Sequence, residues 1–182
     1  MKPKVCILDY GSGNVRSVSN LITHLGYEGV VSNQADDITQ ATHLILPGVG
    51  AFGAAMGKIR ERLPLNLLEQ EVLVKRKPFL GICVGMQVMA ETGHEFGKHT
   101  GLGWMPGEVR ELDAHGQVLP HIGWNDITPK KTCPLLEGMN EVLDFYFVHS
   151  YALAPSSEEC VMATAEYGHH FPAVIQRDNL FG

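Results

Sequence analysis

The stretch Lys77-Pro78-Phe79-Leu80-Gly81-Ile82-Cys83-Val84-Gly85-Met86-Gln87 constrains this chain more than any other. Phe79 to Ile82 is an apolar run of strand length, and Val84 to Glu91 carries helix formers with no breaker after Gly85. Cys83 therefore falls on a tight strand-to-helix turn. Glycines on both sides of a turn residue are expected where the backbone is strained and neighbouring side chains would clash, and such a turn holds the middle side chain out above the sheet. A cysteine there stands at a helix N-terminus, where backbone N–H groups favour the thiolate and the N–H of Val84 can donate to an oxyanion. The alternative is a small buried cysteine beside packing glycines, which leaves the glycine at each flank without a reason.

The preceding chain reads as β-loop-α units. Lys4 to Asp9 is a continuous apolar strand of the kind buried on both faces of a parallel sheet. A small-residue loop, Tyr10-Gly11-Ser12-Gly13-Asn14, leads into Val15 to Leu25, where Val15, Val18, Leu21, Ile22 and Leu25 recur at helical spacing and Gly26 closes the helix. Gly11-x-Gly13 lacks the third glycine and the later acidic residue of a dinucleotide site. Glu28 to Ser32 is a second strand, followed by a connection holding Asp36 and Asp37, and His43 to Leu46 is a third. Pro47-Gly48-Val49-Gly50-Ala51-Phe52-Gly53 is a second glycine-rich loop at a strand end, and Ala54 to Leu68 reads as a helix with a break at Pro64. Loops after strand carboxyl ends converge on one crevice in an open α/β sheet. Gly48-Val49-Gly50 is therefore either part of an oxyanion hole or a tight turn without chemistry.

After Glu91 the glycines and prolines become dense, as expected for antiparallel strands and hairpins. Gly101 to Met105, Glu108 to Leu112, Val118 to Trp124, Asp144 to Tyr151, Val161 to Tyr167 and Ala173 to Gln176 are the expected strands. Trp124, among turn residues, is either core or an interface anchor. The fold class is α/β, an open mostly parallel sheet flanked by helices, with antiparallel strands and hairpins in the C-terminal half. A chain of 182 residues fits one domain, 1–182. Leu180-Phe181-Gly182 reads as the first half of a strand, so the sequence is expected to be cut short at its C-terminus.

The net charge of −6 argues against nucleic acid or an anionic membrane as the main partner. Lys75-Arg76-Lys77 reads as the solvated end of a helix. No apolar stretch approaches the roughly 18 residues of a membrane span, and the cytosol is the expected compartment. The four cysteines, Cys6, Cys83, Cys133 and Cys160, fall singly, without the spacing of a zinc site, and neither a metal nor a cofactor is expected.

Three motifs in order, Leu46-Pro47-Gly48-Val49-Gly50, Gly81-Ile82-Cys83-Val84-Gly85-Met86-Gln87 and Phe147-Val148-His149-Ser150-Tyr151, resemble the class I (triad) glutamine amidotransferases. Asp9 to Asn14, Leu46 to Gly53 and His121-Ile122-Gly123-Trp124-Asn125 are similar to one branch of that family, the glutaminase subunits of imidazole glycerol phosphate synthase. The resemblance covers essentially the whole chain. It implies that Cys83 attacks the side-chain amide of glutamine, giving a glutamyl thioester and ammonia. Val49 and Gly50 match the oxyanion strand, Gln87 and Glu95 match groups that hold glutamine, and Ser150 and Tyr151 match the segment over the bound substrate. Asn14 and Trp124 match positions facing a (β/α)8-barrel cyclase subunit, which uses the ammonia to make imidazole glycerol phosphate and an aminoimidazole carboxamide ribotide in histidine biosynthesis.

One element of the family pattern is missing. A strand like Leu180-Phe181-Gly182 continues in the family into Val-Gln-Phe-His-Pro-Glu, whose His and Glu activate the thiol. None of the nine histidines here is followed two residues later by Glu, and His169 and His170 precede the Ala173 strand. Two other readings therefore stand beside an ammonia-supplying glutaminase. One is a catalytically inactive amidotransferase-like binding module. The other is an elbow-cysteine hydrolase of related fold, which would place a His close after Cys83, where the nearest is His94.

Overall fold

A computed structural model describes residues 2–139 and 143–182. The N-terminal half alternates strand and helix. It runs β1 (Lys4–Leu8), α1 (Val15–His24), β2 (Glu28–Ser32), α2 (Ala35–Gln40), β3 (His43–Gly48), α3 (Phe52–Arg62), α4 (Leu65–Glu69) with a π-helical turn at Gln70–Val74, β4 (Phe79–Cys83) and α5 (Val84–Gln87). The second half is almost all strand: β5 (Ala90–Gly93), β6 (His99–Thr100), β7 (Met105–Glu111), β8 (His121–Asp126), β9 (Thr128–Pro129), β10 (Asp144–His149), β11 (Tyr151–Pro155), β12 (Val161–Tyr167), β13 (His169–Arg177) and β14 (Leu180–Phe181).

One sheet of eight strands, in the order β2-β1-β3-β4-β14-β13-β12-β9, carries the molecule. From β2 through β14 the neighbours are parallel, and the remaining pairs are antiparallel. This is the expected α/β class. Residues 5–8 of β1 and 44–48 of β3 are buried without alternation, because helices cover both faces, and the continuous apolar runs of the sequence follow from that. The main core packs Leu8, Leu44, Leu46 and Phe79 against Phe52, Met56, Ile59, Leu68 and Val72 of the helices. A smaller core holds Ile127, Cys133, Met162, Phe171 and Val174. A four-stranded sheet β11-β7-β5-β6 and a two-stranded ribbon β10-β8 complete the fold.

Several elements differ from the sequence expectation for tertiary reasons. The connection holding Asp36 and Asp37 is the short helix α2, seated by the buried Ile38. The helix after Cys83 ends at Gln87 rather than Glu91. The carbonyls of Val88, Met89 and Ala90 bond the backbone of residues 102–105 instead of their own next turn, and Ala90–Gly93 joins β7 as a strand. Asp144 to Tyr151 is not one strand, since the chain changes partner at Ser150: β10 pairs with β8, and β11 pairs with β7. Gly101 to Met105 is a connection between β6 and β7, with strand beginning only at Met105. The helix break falls at Pro64 as expected.

Lys75-Arg76-Lys77 is not simply a solvated helix end. Lys77 Nζ lies 2.8 Å from the buried Glu71 carboxylate and donates to the carbonyls of Ile38 and Thr39, while Lys75 Nζ sits 2.5 Å from the other Glu71 oxygen. Burial pushes the Glu71 carboxyl up, but the hydrogen bonds from Lys75 and Lys77 outweigh it and hold its pKa below the ordinary value.

The elbow glycines are sterically obligatory. A Cβ on Gly85 would drive into the Leu46 carbonyl oxygen, and one on Gly81 would come within 2.5 Å of the Gly85 carbonyl. Backbone on both sides of the contact prevents relaxation. Gly85→Ala is therefore expected to cost at least about 3 kcal/mol or to abolish folding. Gly57→Ala, in the middle of α3 with open space around it, should stabilise by about 0.5–1 kcal/mol. Urea unfolding of the two variants measures both, and a Gly85→Ala protein as stable as wild type would refute the packing argument.

Candidate active site

Cys83 ends β4 with φ 55° and ψ −117°, a left-handed conformation that a residue with a Cβ rarely adopts. The side chain projects from the carboxyl end of the sheet, and the residue is exposed. The parallel register sets Gly48 directly beside Cys83, so Val49 and Gly50 continue past the thiol. Gly50 has φ +84°, and Val49 is half exposed. The loop after β1 closes from the other side. Ser12 Oγ donates to the Val49 carbonyl at 3.3 Å, and a Cβ on Gly13 would lie 2.5 Å from the Pro47 carbonyl oxygen. The three glycine-rich loops thus meet at one crevice, as the parallel-sheet reading required.

The residues expected to hold a substrate are gathered at the same end. Gln87, buried on the last turn of α5, donates its Nε2 to the Tyr151 carbonyl at 2.9 Å. Glu95 arrives from a loop and accepts from the Phe52 N–H at 2.8 Å, capping α3 just past Gly50-Ala51. Burial, then the carboxylates of Glu111 and Glu95, push the Tyr151 phenol up. Ser150 is the switch point between the two strands that flank it. Of the two residues expected to face a partner, Asn14 accepts from the Ser17 N–H and caps α1, while Trp124 stands on β8 with most of its surface in solvent. Sequence reasoning overlooked Tyr10. It is fully buried, its hydroxyl would lie 2.8 Å from a Cβ on Gly48, and burial pushes its phenol up to about 12. Its only sequence signal is a large side chain in a loop of small ones.

The electrostatics overturn one expectation. Although the residue as a whole is exposed, neighbouring protein partly desolvates the sulfur and pushes the Cys83 thiol above its ordinary value, and the hydrogen bond from the Val84 N–H offsets only part of that. A four-residue α5 carries little dipole, and among the described residues no cation lowers the thiol. None of the nine histidines, all within the described residues, bonds to Cys83. His94 pairs with Glu108, His115 with Asp113, His170 with Glu166, His43 with Thr42, and His121 and His149 with each other.

Residues 6–182 match the family model for glutamine amidotransferase class-I. The chain belongs to the class I glutamine amidotransferases. Among curated relatives, it is 44% identical over 182 residues to the imidazole glycerol phosphate synthase subunit HisH of Moorella thermoacetica, covering 100% of this chain and 85% of that protein. Against HisH 2 of Pseudomonas aeruginosa it is 40% identical over 179 residues, covering 98% of this chain and 88% of that protein. The fold is shared with a solved structure described as PurLQS from Thermotoga maritima, at a TM-score of 0.73 and 18% identity, covering 100% of this chain and 86% of that one. Amidotransferase architecture thus accounts for the elbow, the adjoining glycine loop and the mixed sheet together.

The four thiols differ enough to be told apart chemically. Cys6 is buried and pushed up to about 11, Cys133 is buried, and burial also pushes up the half-buried Cys160. A chloroketone analogue of glutamine is expected to label Cys83 first, with a rate that rises with pH beyond the ordinary thiol value of 9.0. Mass spectrometry after brief labelling reads this. Faster modification of Cys6, Cys133 or Cys160 would remove Cys83 as the candidate nucleophile.

Proposed function

We propose that this chain is a glutaminase subunit of imidazole glycerol phosphate synthase that works in the cytoplasm as a single domain paired with a (β/α)8-barrel cyclase. The observation that carries the reading is the strained Cys83 elbow with Gly48-Val49-Gly50 in register beside it and Gln87, Glu95 and Tyr151 around it. Relatives named as that subunit, at 40–44% identity over nearly the whole chain, support the choice within the family.

In this reading glutamine lies with its side-chain amide over Cys83. The Cys83 Sγ attacks the amide carbon, and the new oxyanion takes hydrogen bonds from the Val84 N–H and from the Val49-Gly50 strand. The carbon–nitrogen bond breaks, the amide nitrogen gains a proton and leaves as ammonia, and water then cleaves the glutamyl thioester to glutamate. A general base must take the thiol proton and return one to the leaving nitrogen. The raised Cys83 thiol adds to the need for that base, and none of the nine histidines of residues 1–182 bonds to Cys83. β14 runs parallel beside β4, with Leu180 opposite Phe79 and Phe181 opposite Leu80. Residues extending that strand would pass alongside Cys83, and we place the base there, on a His-x-Glu of the family pattern.

Residues 1–182 alone are expected to turn over glutamine several powers of ten more slowly than the same chain fused to a C-terminal segment bearing His-Pro-Glu. A coupled glutamate assay compares them. A fused chain that stays inactive would instead select a second reading, a docking module without turnover.

For the cyclase, the support is a face of the β8-β10 ribbon. Trp124 and Tyr146 are 70% and 57% exposed and stack edge to face with centroids 5.7 Å apart, flanked by the exposed Ile122 and Val148. Four apolar side chains in one exposed patch mark an interaction surface. Trp124→Ala is expected to weaken binding of the barrel subunit by about 1–3 kcal/mol, measured by calorimetry, and unchanged affinity would place the interface elsewhere.

A further inference from the structure

The other face of the same ribbon carries a buried histidine and a half-buried one, to which neither the family pattern nor the elbow assigns a role. His121 on β8 and His149 on β10 are cross-strand partners on the inner face, and His121 is 3% exposed. The His121 ring stacks between Phe147 and Tyr167, with centroids 5.0 and 4.2 Å away. Asn125 Nδ2 lies 2.8 Å from the Glu166 carbonyl oxygen and 3.3 Å from His121 Nε2. His121 Nδ1 lies 3.0 Å from His149 Nε2, and His149 Nδ1 lies 3.1 Å from the Tyr151 carbonyl oxygen. That carbonyl is the acceptor of the Gln87 Nε2 hydrogen bond.

Donor and acceptor chemistry fixes every proton in this chain of contacts. The Tyr151 carbonyl only accepts, so His149 donates from Nδ1 and, when neutral, accepts at Nε2. His121 must then donate from Nδ1, which leaves its Nε2 to accept from the Asn125 amide, whose other hydrogen goes to Glu166. All four links are satisfied with one proton on each ring. A second proton on either ring would set N–H against N–H, or against the Asn125 amide.

We propose that His121 and His149 are positioning residues for the glutamine site, a one-way hydrogen-bond relay that fixes the Tyr151 carbonyl and, through it, the Gln87 side-chain amide. The inference rests on the reading of Cys83 as the nucleophile toward glutamine. With Nε2 committed to Tyr151, the Gln87 amide cannot flip, and its Oε1 stays available to accept from a substrate N–H. The relay starts on the strand that carries Trp124, so the substrate wall and the proposed docking face share β8.

The relay is built to be neutral. Burial pulls both imidazoles below their ordinary value, and for His149 the hydrogen bond to Tyr151 works against that while His121 adds to it. The elements packed against the pair present Phe147 from β10, Phe171 from β13, Tyr167 from β12, Asn125 from β8 and Tyr151 from β11. Tyr167 donates its phenol to the Val118 carbonyl, and the Glu166 carboxylate turns to His170. Among the described residues no carboxylate bonds to either ring, so nothing stabilises an imidazolium there.

The test compares two labelling rates at Cys83, with a chloroketone analogue of glutamine and with iodoacetamide, which needs only the thiol. His149→Phe keeps the ring stack and removes both nitrogens, whereas His149→Asn keeps an amide donor near the Nδ1 position. His149→Phe should lower the ratio of the two rates about tenfold with the iodoacetamide rate unchanged, and His149→Asn should keep most of it. The wild-type ratio should hold from neutrality down to the ordinary imidazole value of 6.5 and fall below it, and the His149→Phe ratio should not fall. An unchanged ratio in His149→Phe, or equal loss in both variants, would overturn the relay. If His149→Phe fails to fold, long-range proton–nitrogen spectra of the wild type decide, and an Nε2–H tautomer on either ring refutes the scheme. A wild-type ratio no higher than that of a free thiol would instead remove the glutamine reading, and the relay with it.

Discussion

Backbone meets backbone at the elbow with no side chain between, and the site depends on that contact. Gly85 packs its bare Cα on the Leu46 carbonyl, Gly81 packs on Gly85, and Gly48 packs on the Gly85 nitrogen and the Tyr10 hydroxyl. The closeness brings α5 down onto β3 and β4 and forces the chain to turn sharply at Cys83. A left-handed cysteine costs about 1–3 kcal/mol and persists only where its surroundings leave no alternative. Here the parallel ladder from β3 through β4 to β14 fixes the incoming strand, and buried Val84, Val88 and Met89 fix the outgoing chain. The same ladder sets Val49 and Gly50 beside the thiol, so steric necessity at three glycines and chemical placement at the crevice have a single cause.

Much of this was legible in the sequence because it is local. Continuous apolar runs announce doubly covered strands, glycines announce close approach, and Pro64 announces a break in the helix. The candidate site residues Cys83, Val49, Gly50 and Val84 follow from such local rules, and Gln87 lies one turn further along the chain. What escaped was decided at long range. The carbonyls of Val88 to Ala90 look helical until residues 102–105 claim them, and the solvated look of Lys77 ends when Glu71 is buried six residues earlier in the chain. Ser150 sits inside an unbroken strand pattern, yet its two flanking strands belong to different sheets. Glu95, found by resemblance alone, turns out to cap α3 across 43 residues, a relation that no spacing rule contains.

The charge environment is as consequential as the geometry. A thiol at a full helix N-terminus gains from the dipole, but α5 is one turn long, and the walls that shape the crevice also strip water from the sulfur. Burial wins, and the Cys83 thiol is pushed up rather than down. A nucleophile in that state is dormant at neutral pH unless a base reaches it. The strained elbow thus supplies orientation without activation, and that orientation is carried by β4 and the turn into α5.

The β8-β10 ribbon shows how two demands are met by a period of two. Strand geometry sends Ile122, Trp124, Tyr146 and Val148 to one side and His121, Asn125, Phe147 and His149 to the other. The outer side is apolar and bare, which suits a partner. The inner side is aromatic with polar atoms threaded through it, and such a packing is stable only if every nitrogen is satisfied. Ser150 and Tyr151 follow directly from β10, so the end of the ribbon leads straight to the carbonyl that accepts from Gln87. Among the described residues the ribbon has two strands, β10 and β8, and no third hydrogen-bonded strand beside them. The side chains of its inner face tie it to the rest of the fold, and the His121–His149 hydrogen bond links that face to the Tyr151 carbonyl and, through it, to Gln87.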